Sequence, residues 1–321
     1  MNQGLRKRVV AVGGGNGTAI TLRGLKVHQD KLKLSAVVAM TDSGGANGEL
    51  SRRFRVLPSA DILRAVLALS PYDYKLLHKI FRDNRFSEGD FKGHYLGNLF
   101  LMLAVKEEND YVRSVRYLEA AVEACGRVYP ATLGMTKLCV ELEDGSKVEG
   151  EAEIDRPTYE RSKKIMRAWL FPEVEAYREA IAQIKSADYV ILGPGSLYTS
   201  IIPNLLAQGM SAALQNSKAK LIYVVGKGYE LEGETGPEDL SGMVSTLRGH
   251  LPRDLDAVIY HHDAALSETE KEHYTKKRWA PLKLDPENVQ GCKKLIPADI
   301  MDERGAGSPE KIGRELVNLM E

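Results

Sequence analysis

The chain has 321 residues, 43% of them hydrophobic, with 44 Lys+Arg against 44 Asp+Glu. That balance excludes the basic footprint on which phosphate-backbone binding depends, so nucleic acid is not an expected partner. Cys125, Cys139 and Cys292 are far apart and form neither a CxxC pair nor a disulfide framework, and no apolar run reaches the length of a membrane span; a protein of the reducing cytoplasm is expected.

The basic start MNQGLRKR leads into residues 9–12, a buried strand too short for the apolar region of a signal peptide. A helix is expected over 19–26, and a second, continuously apolar strand over 32–40, as a parallel sheet requires. Helical patterns then fill SADILRAVLALS, YKLLHKIF, YLGNLFLMLAVKE and VRSVRYLEAAVEAC, so about 59–125 reads as a mainly helical insertion. A hairpin follows: Leu138, Val140 and Leu142 alternate ahead of the turn Asp144-Gly145. Strands return in DYVILGPGS, AKLIYVVGKG and LDAVIYHH, and Ser267 with Glu270 offers a capping box. The expected fold is α/β: a doubly wound, mainly parallel Rossmann-like sheet with a helical insertion and a β-hairpin, in one domain over 1–321.

The glycines after the strands carry the chemistry. A strand that ends in Gly13, Gly14, Gly15, Asn16 and Gly17 and enters a helix at Thr18 offers backbone N–H groups beside a positive helix terminus, where a phosphate is favoured. A tight turn without a ligand is the alternative. The dinucleotide fingerprint Gly-x-Gly-x-x-Gly fails, because its last glycine falls on Thr18 or Ile20, yet Asp42 stands at the end of the second strand where a ribose-binding acid belongs. A nucleotide other than NAD is the expectation. TDSGGANG supplies Asp42, Ser43, Gly44 and Gly45 for a diphosphate, a ribose or a metal-bound water, against a plain surface turn. In LGPGSLYTS, Gly193, Gly195 and Ser196 can form an anion nest, and Thr199 or Ser200 can cap the next helix. Loops after parallel strands open at one sheet edge, so the three are expected to converge. His94 and Asn98 share a helix face, as do Asp61 and Arg64; caps or buried hydrogen bonds explain them as readily as a site does. Lys227 can reach a phosphate as a point charge, although a solvated lysine is the default.

VVAVGGGNGTAITLRGLK, VVAMTDSGGANGELSRRFRVLPSADILRAVLALS, GHYLGNLF, GRVYPAT and ILGPGSLYTSIIPNLL together resemble the gluconeogenesis factor (YvcK-like) family, which is related to the CofD 2-phospho-L-lactate transferases. The resemblance implies a cytoplasmic protein that binds a nucleotide diphosphate, a UDP-sugar such as UDP-N-acetylglucosamine in the first branch, and that influences cell shape and wall or carbon metabolism through a regulatory protein partner. It extends the ligand set to Pro194 and Asn204 within the last motif, and homodimers are common among such proteins. The CofD branch implies the alternative, transfer of phospholactate to a deazaflavin with Mg2+, for which Asp42 and Asp61 would be the catalytic and metal-binding carboxylates. Two departures stand out. Ser43 replaces the second Asp of the family's Asp-Asp-Gly-Gly run, and of the family's Asn-x-Met-Thr-Gln-x-Gly-Glu-Thr only Gly233-Glu234-Thr235 remains.

Overall fold

The computed structural model describes residues 6–321, the side chains of Ala46 and Asn47 excepted; the first residues of the basic start lie outside it. β1 (Lys7–Gly13), α1 (Gly15–Lys26) and β2 (Leu32–Val38) form the expected βαβ unit. Then come α2 (Gly45–Phe54), α3 (Ala60–Leu69), α4 (Tyr74–His78), α5 (Leu96–Glu108) and α6 (Tyr111–Ala121), which lead back into β3 (Arg127–Pro130). β4 (Lys137–Leu142), β5 (Lys147–Glu149), the short α7 (Glu151–Asp155) and β6 (Ile165–Phe171) follow, with α8 (Arg178–Ser186) before β7 (Tyr189–Leu192). One wide helical turn, Leu197–Ile201, then joins α9 (Ile202–Leu206), and α10 (Met210–Asn216) and β8 (Lys220–Val224) come next. β9 (Gly228–Glu230), α11 (Leu240–Arg248), β10 (Ala257–His261), α12 (Glu268–Lys277), β11 (Trp279–Pro281), β12 (Leu295–Ala298) and α13 (Pro309–Met320) complete the chain.

Seven strands make one parallel sheet in the order β12-β10-β8-β7-β1-β2-β3. Along β1, Val9 and Ala11 join the core on one face while Val10 and Val12 join the core on the other, which is why the strand is apolar without alternation. Helices α1, α3 and α13 cover the first face. There α1 and α13 touch through glycine: a Cβ on Gly24 would stand 3.0 Å from the Gly313 Cα, so neither position accepts a side chain without separating the helices. The predicted hairpin is β4 and β5, turning at Asp144-Gly145 with Gly145 at φ 81, and β6 adds a third antiparallel strand.

Strand order reverses direction at β1: β2 and β3 lie on one side of it and β7, β8 and β10 on the other. The gap between the ends of β1 and β7 is therefore a topological switch point, where ligands of open α/β sheets bind. Two boundaries differ from expectation at this edge. Helix α1 starts at Gly15, not at Thr18, and the second half of the expected loop 41–48 is the first turn of α2 from Gly45. Both starts use a glycine in the left-handed region, Gly15 at φ 60 and Gly45 at φ 48, which lets the chain turn into a helix sooner than residue propensities suggest.

Candidate functional site

A cleft of about 760 Å³ opens at the switch point. Its floor is the start of α1: Gly14, Gly15, Asn16 and Gly17 line it, so the first N–H groups of a twelve-residue helix face the cavity. Gly13 and Thr18 do not line it. They are the hinge beneath the turn, with Thr18 buried and its hydroxyl next to the position a Gly13 Cβ would take. Gly17 has a further duty, since a Cβ there would strike the Pro194 carbonyl, backbone of the loop across the gap. That loop is held in turn by the Thr21 hydroxyl, which donates to the Gly193 carbonyl at 2.9 Å.

Of the second loop, Asp42, Gly44 and Gly45 line the cleft. Asp42 accepts from the Gly44 N–H at 3.0 Å. Ser43 points away from the cleft and accepts from the Ala152 N–H at 3.1 Å, which docks α7 on this loop. Docking carries Glu151 and Asp155 into the cleft beside Asp42 and Asp61. Burial, then the charges of Asp42, Asp155 and Asp61, pushes the Glu151 carboxyl up to about 8 against a Ser43 N–H that favours the ionised form. Asp61 lies against the glycine turn, 2.5 Å from where a Gly14 Cβ would stand, and is ion-paired with Arg64. The carboxylates feel one another's charge, yet among the described residues no three acidic, His or Cys side chains are grouped so as to hold one metal ion. Asp42 and Asp61, the expected Mg2+ ligands, both line the cleft.

The third loop contributes Pro194, Gly195, Ser196, Thr199 and Ser200 to the cleft wall. Of the expected nest, the Gly193 N–H donates to the Val12 carbonyl at 3.1 Å, and just beyond the nest the N–H groups of residues 197–199 are in use. The Glu234 carboxylate accepts from Leu197 N–H at 2.6 Å, Tyr198 N–H at 3.1 Å, Thr199 N–H at 2.9 Å and the Thr199 hydroxyl at 3.1 Å. A side chain of the protein therefore caps the helical turn Leu197–Ile201, and neither Thr199 nor Ser200 serves as its N-cap. Burial pushes Glu234 up to about 7, and the three N–H groups pull it back toward the ionised form. Thr235 completes the tie, its hydroxyl 3.1 Å from that of Tyr159. The retained Gly233-Glu234-Thr235 is thus a structural clasp on the β7 loop.

Four expected ligand residues have other duties. Asn204 is fully buried and donates to the Gly13 carbonyl at 3.1 Å and the Ser200 carbonyl at 2.8 Å, tying the end of β1 to α9. His94 and Asn98 lie outside the cleft: the Asn98 side chain accepts from the Tyr95 N–H at 3.1 Å in a capping box, and the His94 carbonyl accepts from Phe86 N–H at 3.0 Å. Lys227 borders the cleft, but its ammonium donates to Glu270 at 2.6 Å and to the Ala265 carbonyl at 3.0 Å. The expected capping box of Ser267 and Glu270 is present, so Glu270 serves both the helix cap and the ion pair. What sequence reasoning missed comes from distant segments: Glu151 and Asp155, the arginines Arg82, Arg85, Arg156 and Arg161, and Trp279 on the β9–β11 ribbon. Only Glu234 carried a signal, as part of the retained motif.

A Rossmann-ordered parallel sheet with a helix-terminus cleft at its switch point defines the class, a doubly wound α/β protein. The family model "2-phospho-L-lactate transferase CofD" matches residues 9–301. The "Gluconeogenesis factor" of Halalkalibacterium halodurans is 33% identical over 287 residues, 89% of this chain and 86% of that protein. A Thermotoga maritima relative is 39% identical over 283 residues, 88% of this chain and 87% of its own. The crystal structure of a UPF0052 family member from Bacillus halodurans superposes with a TM-score of 0.87 at 30% identity, covering 98% of this chain and 99% of that one. The chain belongs to the gluconeogenesis factor (YvcK-like) family. Among the described residues no helix is long and apolar enough to cross a membrane.

Proposed function

We propose that the chain is a cytoplasmic regulatory protein that binds a nucleoside diphosphate sugar, such as UDP-N-acetylglucosamine, and addresses a partner protein of carbon or cell-wall metabolism by a ligand-dependent shift between conformations. One observation carries this reading: the amino end of α1, bare of side chains at Gly14, Gly15 and Gly17, faces a cleft large enough for a nucleotide at the switch point of the sheet. The α1 turn, with Gly195 and Ser196 of the facing β7 loop in the same cleft lining, is the anchor for the diphosphate. Charge-assisted hydrogen bonds to phosphate contribute ~1.5–3 kcal/mol each, so a few of them reach the roughly −8 kcal/mol of micromolar affinity after association costs.

Calorimetric titration with UDP-N-acetylglucosamine tests the reading. Binding is expected with similar affinity in chelator and in excess Mg2+, because backbone N–H groups need no cation. Asp42→Ala is expected to weaken binding while leaving the fold intact. Absence of binding, or turnover of a phospholactyl donor with deazaflavin that depends on Mg2+, would replace this reading by the transferase one.

A further inference from the structure

Most cations around the cleft are already committed. Arg64 is paired with Asp61 and Lys227 with Glu270, Arg161 donates to the Gly233 carbonyl at 2.7 Å, and Arg156 stands beside Asp155 and Glu230. Arg82 and Arg85 differ from Arg64 and Lys227. Both line the cleft from the segment between α4 and α5, and among the described residues neither is ion-paired; the intervening Asp83 is taken by His78 at 3.0 Å. The Arg82 Nε is sequestered from solvent without a hydrogen-bond partner. Arg85 is held in place although its side chain is exposed: it donates to the Gly93 carbonyl at 2.6 Å, its guanidinium lies 4.8 Å from the centre of the Tyr95 ring, and its backbone bridges that of Tyr95. The loop behind it is braced by the His94 carbonyl, which gives that buried histidine a place in the scaffold.

We propose that Arg82 and Arg85 form a second anion subsite, one that takes the phosphoryl group of a small phosphorylated molecule other than the nucleotide. Two guanidiniums in one cleft lining without an ion-pair partner, one held by stacking and a single bond to the Gly93 carbonyl and the other with an unsatisfied buried N–H, suit a tetrahedral dianion that accepts several charge-assisted bonds. The α1 turn is a separate place. Asp61 packs against Gly14 and pairs with Arg64, whereas Arg85 lies on the Tyr95 ring. A phosphate on the glycine turn is held by backbone N–H groups and one on the arginine pair by guanidiniums.

This rests on a nucleotide occupying the α1 turn, and the test separates the two. Inorganic phosphate is titrated calorimetrically into the free protein and into protein saturated with UDP-N-acetylglucosamine, for wild type, Arg82→Gln/Arg85→Gln and Arg82→Lys/Arg85→Lys. The nucleotide-saturated wild type is expected to bind phosphate still; the Gln pair binds it roughly tenfold or more weakly with an unchanged melting temperature, and the Lys pair falls between. If wild type binds phosphate but no nucleotide, the nucleotide reading fails and the arginine subsite stands, provided the Gln pair weakens it. The subsite is overturned if wild type binds no phosphate, if the nucleotide abolishes phosphate binding, or if the Gln pair binds as wild type does.

Discussion

Replacing Gly17 by alanine asks whether the glycine turn is shaped for a ligand alone or also for the protein's own packing. An added Cβ would strike the Pro194 carbonyl and lie 3.0 Å from the Gly195 Cα, and both obstacles are backbone, which cannot rotate aside. Overpacking of this kind costs about 1–3 kcal/mol, more where the neighbours are rigid, while a helical Gly→Ala change returns at most ~1 kcal/mol of propensity. With the cost at its upper end, the net loss is about 2 kcal/mol, or roughly 3 °C in melting temperature for a chain of this size. Gly15→Ala is the control. Gly15 sits at φ 60 with its nearest neighbour, the Ser200 hydroxyl, at an ordinary 3.5 Å, so only backbone strain of ~1 kcal/mol is expected. Differential scanning calorimetry should therefore rank Gly17→Ala below Gly15→Ala, and titration should show weaker nucleotide binding in Gly17→Ala because the α1 turn and the β7 loop are forced apart. A Gly17→Ala protein as stable as wild type, or more stable than Gly15→Ala, would refute the packing argument.

Two further expectations concern buried charge. Glu151 has its carboxyl pushed up to about 8 by burial and by Asp42, Asp155 and Asp61, so the folded state holds a proton that the unfolded chain releases near its ordinary 4.5. A raised acid contributes stability that is complete below the unfolded value and is lost as pH rises through the folded one. The loss is on the order of a few kcal/mol at ~1.4 kcal/mol per unit. Urea midpoints at pH 5, 7 and 9 should fall in wild type and fall much less in Glu151→Gln; parallel curves would remove Glu151 as the cause. Lys227→Met breaks a pair whose side chains are 3% and 11% exposed. It should destabilise by about 3 kcal/mol, the lower end for a broken buried pair because Glu270 keeps its Ser267 partners. Affinity for the nucleotide should survive in the folded protein, and a stable variant that no longer binds it would return Lys227 to the ligand.

Local chemistry made much of this molecule legible in its sequence. The continuous apolar runs at residues 9–12 and 189–192 become β1 and β7 because a central parallel strand is covered on both faces and cannot alternate. Three glycine-bearing loops after strands follow from the same grammar, and they do gather at one edge. The Ser267 and Glu270 capping box and the Asp144-Gly145 hairpin turn span only a few residues, so nothing distant could overrule them.

Tertiary structure decided which groups remain available to a ligand. Whether an N–H at residues 197–199 is open depends on Glu234, some 35 residues away, and whether Lys227 is free depends on Glu270, 43 residues away. Asn204 and His94 have the chemistry of ligands, but the first spends its amide on Gly13 and Ser200 and the imidazole of the second lies outside the cleft, 3.4 Å from the Asn98 amide. The Glu151, Asp155 and Arg82 side chains carry no motif, and they reach the cleft only because α7 docks through Ser43 and the helical insertion folds over α1. Periodicity and turn chemistry act between neighbours in the chain, and so the sequence shows them. Satisfaction of buried polar groups and the sharing of charge act between neighbours in space, and only the fold names those partners.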